Sequence, residues 1–358
     1  MAMLKRWRAL AVTVAVGSGF GTAAFAQCTP FGDAPAHVTG NPVPTCPGGS
    51  RLGPWPDANG TPRFACLYNS AAAGAKGPLP LVVFLHPSLV TADSLVTGTN
   101  ILAFQADANL NDDPDRPGFI VLAPEGRTTT HFYPAPDNDA PGWDNWYRQV
   151  SAAGTVTAGG VAYPENVDSA TIDHFVAQEI ASGEVDTDRI FLSGWSNGSA
   201  MAYLYGLNRT NIAAIAVYSS PDPFGAFNDP CEQVPVTEAE RGQGPGTIPI
   251  LAPAVPAYEV HNSCDIDGLC PNSELTHKQI RAIGGHVMDT IIDTDQSPAN
   301  GCNLACGTNP NADPSNQLGS TLGAANHLRW PTDWTAAMLD FFRQHPLSSR
   351  PGPSAVDR

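Results

Sequence analysis

Arg189-Ile190-Phe191-Leu192-Ser193-Gly194-Trp195-Ser196-Asn197-Gly198-Ser199-Ala200-Met201-Ala202-Tyr203-Leu204 is the stretch that decides the fold. Arg189 to Ser193 predict a short strand and residues 196–207 a helix, with Ser196 on the turn between them. By composition alone a G-x-S-x-G match is expected about 0.2 times in such a chain, so the bare motif says little. The flanking elements give it meaning. On a strand-to-helix turn this tight, side chains two residues either side of the serine would collide, and Gly194 and Gly198 remove that collision. The helix N-terminus then stabilises negative charge developing during attack by Ser196, and the Asn197 N–H becomes an oxyanion donor. A glycine-flanked surface serine is the rival reading, and the strand and helix argue against it.

Outward from this turn, strands and helices alternate. Arg63 to Asn69 is an early strand. Leu79 to Leu85 is a continuous apolar run ending at His86, as a buried parallel strand requires, and Gly118 to Ala123 is a second. Ile172, Phe175, Val176 and Ile180 recur at helical spacing over roughly 168–182. Ala213 to Tyr218, Tyr258 to His261 and Val287 to Ile292 supply further strands, and Trp334, Ala337, Met338, Phe341 and Phe342 form one face of a last helix. The pattern predicts an α/β fold with a mostly parallel sheet covered by helices on both faces. No internal repeat or long linker divides it, so residues 27–345 read as a single catalytic domain. Within it, residues 27–62, rich in Pro and Gly, read as an irregular surface wrap held by cysteines. Residues 346–358 read as a flexible tail.

A serine hydroxyl needs a base to lose its proton near neutral pH. On an elbow of this kind the acid and then the histidine follow the serine in chain order. His327 lies in a predicted loop after the last strand and before the final helix; His277, His286 and His345 sit in a helix, at a strand start and beyond the helix. The acid belongs after the strand ending at His261, where Asn262-Ser263-Cys264-Asp265-Ile266-Asp267-Gly268 stands. Asp265 is the first choice and Asp267 the alternative; spacing does not decide between them. The second oxyanion donor comes from His86-Pro87-Ser88-Leu89. Pro87 has no N–H, so Ser88 or Leu89 must donate. None of this chemistry calls for a cofactor or a metal. Asp265-Ile266-Asp267-Gly268 looks like part of a calcium loop, but the other ligands are missing.

Gly142-Trp143-Asp144-Asn145-Trp146-Tyr147-Arg148 puts three aromatics in a loop at the strand C-termini, beside the serine. Trp143, Trp146 and Tyr147 could line a cleft for a polymer or aryl ester, as could Trp195 and Trp330. Packing onto the core is the competing role for these rings.

At the N-terminus, Lys5, Arg6 and Arg8 precede the small apolar run Ala9 to Ala24, and Ala24-Phe25-Ala26 is an A-x-A cleavage site. Residues 1–26 therefore read as a signal peptide, and the protein as secreted, extracellular or periplasmic, with no membrane attachment after cleavage. All eight cysteines (28, 46, 66, 231, 264, 270, 302 and 306) follow that site. An even count behind an export signal suggests up to four disulfides, and the close pairs Cys264/Cys270 and Cys302/Cys306 could each close a small loop. Zinc is the rival, but the chain lacks paired C-x-x-C or nearby histidines. The formal net charge is −16, from 18 basic and 34 acidic side chains. So acidic a chain argues against nucleic acid and other polyanions and fits a neutral substrate.

With these residues in place, the chain resembles the polyhydroxybutyrate-depolymerase and feruloyl-esterase-like branch of the α/β hydrolases. The likeness runs from about Arg63 to Phe342 and includes Leu79 to His86, Val185 to Phe191 leading to the serine, His261 to Asp265, and His327 near Trp330-Pro331. The resemblance implies Ser196 as nucleophile, Asp265 as acid and His327 as base, acting through an acyl-enzyme. It implies an ester substrate: an aliphatic polyester first, a feruloyl or acetyl group on a plant polymer as the alternative. An amidase, or a non-catalytic binding protein on the same fold, is a weaker reading. Two departures stand out. His86-Pro87 replaces the usual His-Gly, and Asn326-His327 replaces Gly-His, with one additional residue before Trp330. Sixty-two residues also separate Asp265 from His327, and Pro298 to Ala325 could form a loop over the site.

Overall fold

A computed structural model describes residues 42–57, 60–70, 77–129, 140–143, 156–158, 161–163, 167–223, 250, 252–266, 269–303 and 322–350. The N-terminal 41 residues, the stretch 144–150 with Trp146 and Tyr147, Asp267, and Cys28, Cys231 and Cys306 lie outside the described residues.

In chain order the elements are β1 (Ser50–Pro56), β2 (Pro62–Tyr68), β3 (Leu79–Leu85), α1 (Ser94–Gly98), β4 (Ile120–Pro124), β5 (Arg127–Thr129), β6 (Ala140–Gly142), β7 (Val156–Ala158), β8 (Val161–Tyr163), α2 (Val167–Ser182) and β9 (Val185–Trp195). There follow α3 (Asn197–Gly206), β10 (Ala214–Tyr218), β11 (Ala257–Asn262), α4 (Leu269–Ala282), β12 (Val287–Ile292), α5 (Leu322–His327) and α6 (Thr335–Gln344). Eight strands form one sheet in the order β1-β2-β4-β3-β9-β10-β11-β12. β1/β2 and β2/β4 are antiparallel, and every pair from β4 to β12 is parallel.

The uniform apolarity of β3 has a simple cause, because its two faces meet two different cores. Leu81, Val83 and Leu85 pack with Ile172, Phe175 and Val176 of α2 and Met201 and Leu204 of α3. Val82 and Phe84 pack on the opposite side with Leu95 of α1 and Met338, Phe341 and Phe342 of α6. Phe191 of β9 stacks on Phe342 with centroids 4.7 Å apart. Each such buried side chain contributes on the order of 1.5–3 kcal/mol, and the helices on both faces are what make those burials possible. The sheet order, its mixed edge and the two helical layers are those of the α/β-hydrolase fold that the strand–elbow–helix reading led us to expect.

Three local expectations are corrected. Residues 50–56 are not irregular but form β1, the outermost strand, joined through the Cys46–Cys66 disulfide to β2. Pro54 and Pro56 hid it; proline lacks a ladder donor and is tolerated only at such an edge. The small loops Cys264/Cys270 and Cys302/Cys306 do not form. Cys270 of α4 pairs with Cys302 instead, tying α4 to the chain after β12. The first residues of the expected tail are also held: Ser348 donates from its N–H and Oγ to Asp188, at 2.6 and 2.7 Å. No helix among the described residues is long and apolar enough to cross a membrane.

Candidate active site

Ser196 stands between β9 and α3 with φ 56° and ψ −122°, a backbone conformation that costs a non-glycine residue about 1–3 kcal/mol. The strain is fixed by the surroundings. Its N–H donates to Tyr218 O at 3.0 Å, and Ser199 Oγ donates to the same carbonyl at 2.7 Å. A Cβ on Gly194 would stand 2.5 Å from Gly198 O, and one on Gly198 would stand 2.1 Å from Leu85 O. The two glycines thus allow the turn to close and let the chain after β3 press against the N-terminus of α3.

His327 is brought to this serine from 131 residues away, with Nε2 hydrogen-bonded to Ser196 Oγ at 2.7 Å. It is the last residue of α5 rather than a loop residue. Its other ring nitrogen, Nδ1, lies 2.8 Å from Oδ1 of Asp265, which follows β11 as expected. Ser196, His327 and Asp265 are 2, 2 and 4 % exposed, so the whole relay is shielded from bulk water.

The residues that hold this geometry are ones the sequence reading missed. Ser219 Oγ donates to Asp265 Oδ2 at 2.6 Å, and the Ile266 N–H donates to Oδ1 at 2.7 Å. Ser219 itself has φ 51° and follows β10 as Ser196 follows β9. Asn326 Nδ2 donates to Cys264 O at 2.8 Å and to Asn262 Oδ1 at 3.2 Å, tying the histidine segment to the aspartate segment. That explains the departure from Gly-His: the side chain a glycine lacks is here a clamp. Tyr218 OH donates to Asn326 O at 2.7 Å, and Trp195 Nε1 donates to His327 O at 2.8 Å.

On the oxyanion side the order is reversed, and a strand-end histidine does the holding. Gly126 N–H donates to His86 Nε2 at 2.9 Å, so the ring proton is on Nδ1, which donates to Pro87 O at 2.8 Å. Burial pushes the His86 imidazole down to about 4, against a small upward pull from the Pro87 carbonyl, and the ring is neutral. Beside it, burial raises the Glu125 carboxyl well above its usual range, and Oε2 accepts the Ala92 N–H at 2.7 Å. The β5–β6 hairpin returns the chain to this point. There Trp143 Nε1 donates to His86 O at 2.9 Å, and Asn197 binds the Trp143 backbone. Of the two expected second donors, the Leu89 N–H is engaged by Pro141 O at 2.8 Å.

Of the expected substrate-lining rings, three are described and all are interior. Trp143, Trp195 and Trp330 are 0, 5 and 2 % exposed. Each indole N–H is satisfied within the protein, that of Trp330 by Thr335 Oγ1 at 2.9 Å. Trp195 and Trp330 pack edge to face at 5.9 Å. They frame the site from behind rather than line a cleft, because the apolar layer between β9, β10 and α6 is where rings of that size can be buried. Trp146, Tyr147 and Asp267 fall outside the described residues.

No curated protein matches the chain. Among solved structures, a thermostable esterase shares 15 % identity at a TM-score of 0.45, over 84 % of this chain and 64 % of that one. An acetyl xylan esterase from Aspergillus awamori shares 20 % identity at a TM-score of 0.42, over 66 % and 80 %. A ferulic acid esterase shares 12 % identity at a TM-score of 0.45, over 72 % and 92 %. The family model described as Esterase PHB depolymerase matches residues 64–243, half of the chain, with Ser196 inside the matched stretch and Asp265 and His327 beyond it. By that match the chain belongs to the esterase PHB depolymerase family of carboxylic ester hydrolases.

Proposed function

We propose that the protein is a secreted serine esterase acting on an aliphatic polyester, with Ser196 as nucleophile, His327 as general base and acid, and Asp265 as the group that orients and charge-balances the imidazole. The observation that carries the reading is the Ser196–His327–Asp265 relay, at 2.7 and 2.8 Å, on a strained elbow. Ser196 Oγ attacks the ester carbonyl carbon as its proton passes to His327 Nε2. The carbonyl oxygen becomes an oxyanion, held by the Asn197 N–H at the start of α3 and by an N–H of the Ser88-Leu89 turn after β3. Collapse breaks the C–O bond, and the leaving alkoxide takes the proton from Nε2. Water then attacks the acyl-enzyme, gives its proton to Nε2, and the freed serine oxygen recovers it as the acid departs.

The family's description supports the polyester, and the neutral-substrate bias of an acidic chain agrees with it. The N-terminal basic-apolar-AFA pattern and the disulfides support export. The deciding experiment is a hydrolysis screen of poly(3-hydroxybutyrate) film, an aromatic polyester, methyl ferulate and p-nitrophenyl esters, run beside fluorophosphonate labelling. Film hydrolysis with labelling at Ser196 is the expected result. Activity confined to soluble esters or methyl ferulate overturns the polyester assignment, and absence of labelling at Ser196 overturns the enzyme mechanism.

A further inference from the structure

One buried ionisable group beside the active site takes no part in the reaction steps. Glu125 is the first residue after β4, and its side chain meets the turn that leaves β3. That turn, residues 87–92, carries the Ser88 and Leu89 N–H groups. It has to hold one of them near the Asn197 N–H for an oxyanion to receive two donors. Its backbone is not relaxed there. Leu89 has φ 72°, a left-handed conformation that a bulky side chain adopts only where its surroundings impose it.

Three anchors impose it. At the start, His86 Nδ1 donates to Pro87 O at 2.8 Å and His86 Nε2 accepts the Gly126 N–H at 2.9 Å. In the middle, the Leu89 N–H donates to Pro141 O at 2.8 Å. At the end, Ala92 is fully buried and gives its N–H to Glu125 Oε2 at 2.7 Å. Adjacent residues therefore hold the two ends, Gly126 through its backbone and Glu125 through its side chain. Glu125 is fixed in turn from β2: its N–H donates to Phe64 O at 2.9 Å, and its carbonyl accepts from Arg63 Nη2 at 3.2 Å. Arg63 is buried between Asp57 at 3.1 Å and Asp168 of α2 at 2.5 Å. We propose that Glu125 is a positioning residue of the oxyanion site: by accepting the Ala92 N–H, it sets where the Ser88-Leu89 turn stands relative to Asn197. The inference rests on the serine-esterase reading above.

The chemistry of the carboxyl fits this task. Its second oxygen, Oε1, has no hydrogen-bond partner and lies 3.6 Å from His86 Nε2, beyond hydrogen-bond range. Burial, joined by the Asp93 charge, outweighs the Ala92 hydrogen bond and the Arg63 charge and favours the neutral acid. A neutral carboxyl still offers Ala92 an acceptor, and it adds no negative charge next to the turn that must stabilise one. Asp93, the next residue after Ala92, accepts the Thr45 and Cys46 N–H groups, each at 2.8 Å, which ties the far end of the turn to the disulfide of β2 as well. A glutamine at position 125 would present the same acceptor in the same volume. An apolar side chain there would leave the buried Ala92 N–H without a partner.

The test compares the wild type, Glu125→Gln, Glu125→Met and Ser196→Ala on p-nitrophenyl butyrate. Melting curves and inhibition by a trifluoromethyl ketone, whose adduct with the serine carries the oxyanion, are measured in parallel. Glu125→Met should lower kcat at least about tenfold with KM little altered, and weaken the ketone by a similar factor. Glu125→Gln should bring both back to within about threefold of the wild type. A lower melting temperature with kcat and ketone affinity unchanged in the folded Met variant overturns the proposal, since Glu125 would then serve stability alone. So does a Gln variant as impaired as the Met variant, because the acceptor would then be irrelevant. Where Glu125→Met does not fold, Glu125→Asp replaces it: the shorter side chain withdraws the acceptor from Ala92 and should give the same losses, and their absence overturns the proposal. A wild type as inactive as Ser196→Ala overturns the esterase reading and this inference together; an active wild type with unaffected Met and Asp variants overturns the inference alone.

Discussion

Asn197 holds Trp143 by both of its backbone groups, accepting from the N–H at 2.6 Å and donating to the C=O at 3.1 Å. The residue after the elbow serine therefore has two tasks. Its backbone opens α3, and its side chain fastens the end of β6 over the oxyanion side. Asn197→Ala leaves a buried amide and carbonyl unpaired, which costs about 1–3 kcal/mol. Urea denaturation should register that loss together with a lower kcat on p-nitrophenyl butyrate. An unchanged midpoint and kcat would mean that the pairing has no energetic weight.

Ser219 supplies a hydroxyl to one oxygen of Asp265 while His327 faces the other. Removing a donor from a buried carboxylate costs about 1.5–3 kcal/mol, and the aspartate should then orient the imidazole less well. Ser219→Ala is expected to lower kcat roughly tenfold or more with KM little altered. A change confined to KM would place Ser219 in substrate binding instead.

Ser196→Ala should abolish turnover while leaving the melting curve intact. Asp265→Asn should lower kcat by about 10⁴, because the imidazole is then held in the wrong tautomer. Asp267→Asn should remain active. The opposite ranking of the two aspartate variants would move the acid to Asp267.

His86 gives a pH dependence of stability with a definite sign. Its folded value, about 4, lies below the ordinary 6.5, so between these values the unfolded chain binds a proton that the folded one does not. The stabilisation is complete above about pH 6.5 and is lost as pH falls to about 4, amounting to about 3 kcal/mol. Glu125, raised by burial, contributes with the opposite sign as pH rises from about 4.5, so the comparison must be differential. Unfolding free energies of His86→Gln should show a shallower slope than the wild type across this window; parallel slopes would mean that His86 titrates normally.

The Cys270–Cys302 bridge closes a loop across a separation of 32 residues and joins α4 to the chain after β12. Replacing both cysteines by serine should cost about 2–4 kcal/mol. A denaturation midpoint equal to that of the wild type would show that the bridge adds nothing to stability.

What could be read in the sequence follows from where the signals were local. The strand Leu79–Leu85, the elbow and helix α2 announce themselves through continuous apolarity, paired glycines or helical spacing. β1 was hidden because Pro54 and Pro56 mimic a turn-rich wrap, and only the sheet edge makes those prolines acceptable. Asp265 and His327 were chosen by chain order, and the fold places His327 beside Ser196 and Asp265 beside His327. Their supports, Ser219 and Asn326, carry no local signature, since each acts on a residue 46 or 64 positions away. The aromatic residues misled for a related reason: an indole beside a serine in sequence says nothing about which side of the sheet it is buried on, and Trp195 turns inward to bond His327 O.

Asn326, Tyr218 and Trp195 fasten the histidine segment to the strand ends that carry the aspartate and the serine. The distance from imidazole to hydroxyl is therefore a property of the sheet: the histidine is hung from the ends of β9, β10 and β11 by three hydrogen bonds, so any change that shifts one strand end relative to its neighbour detunes the chemistry without touching a reacting group.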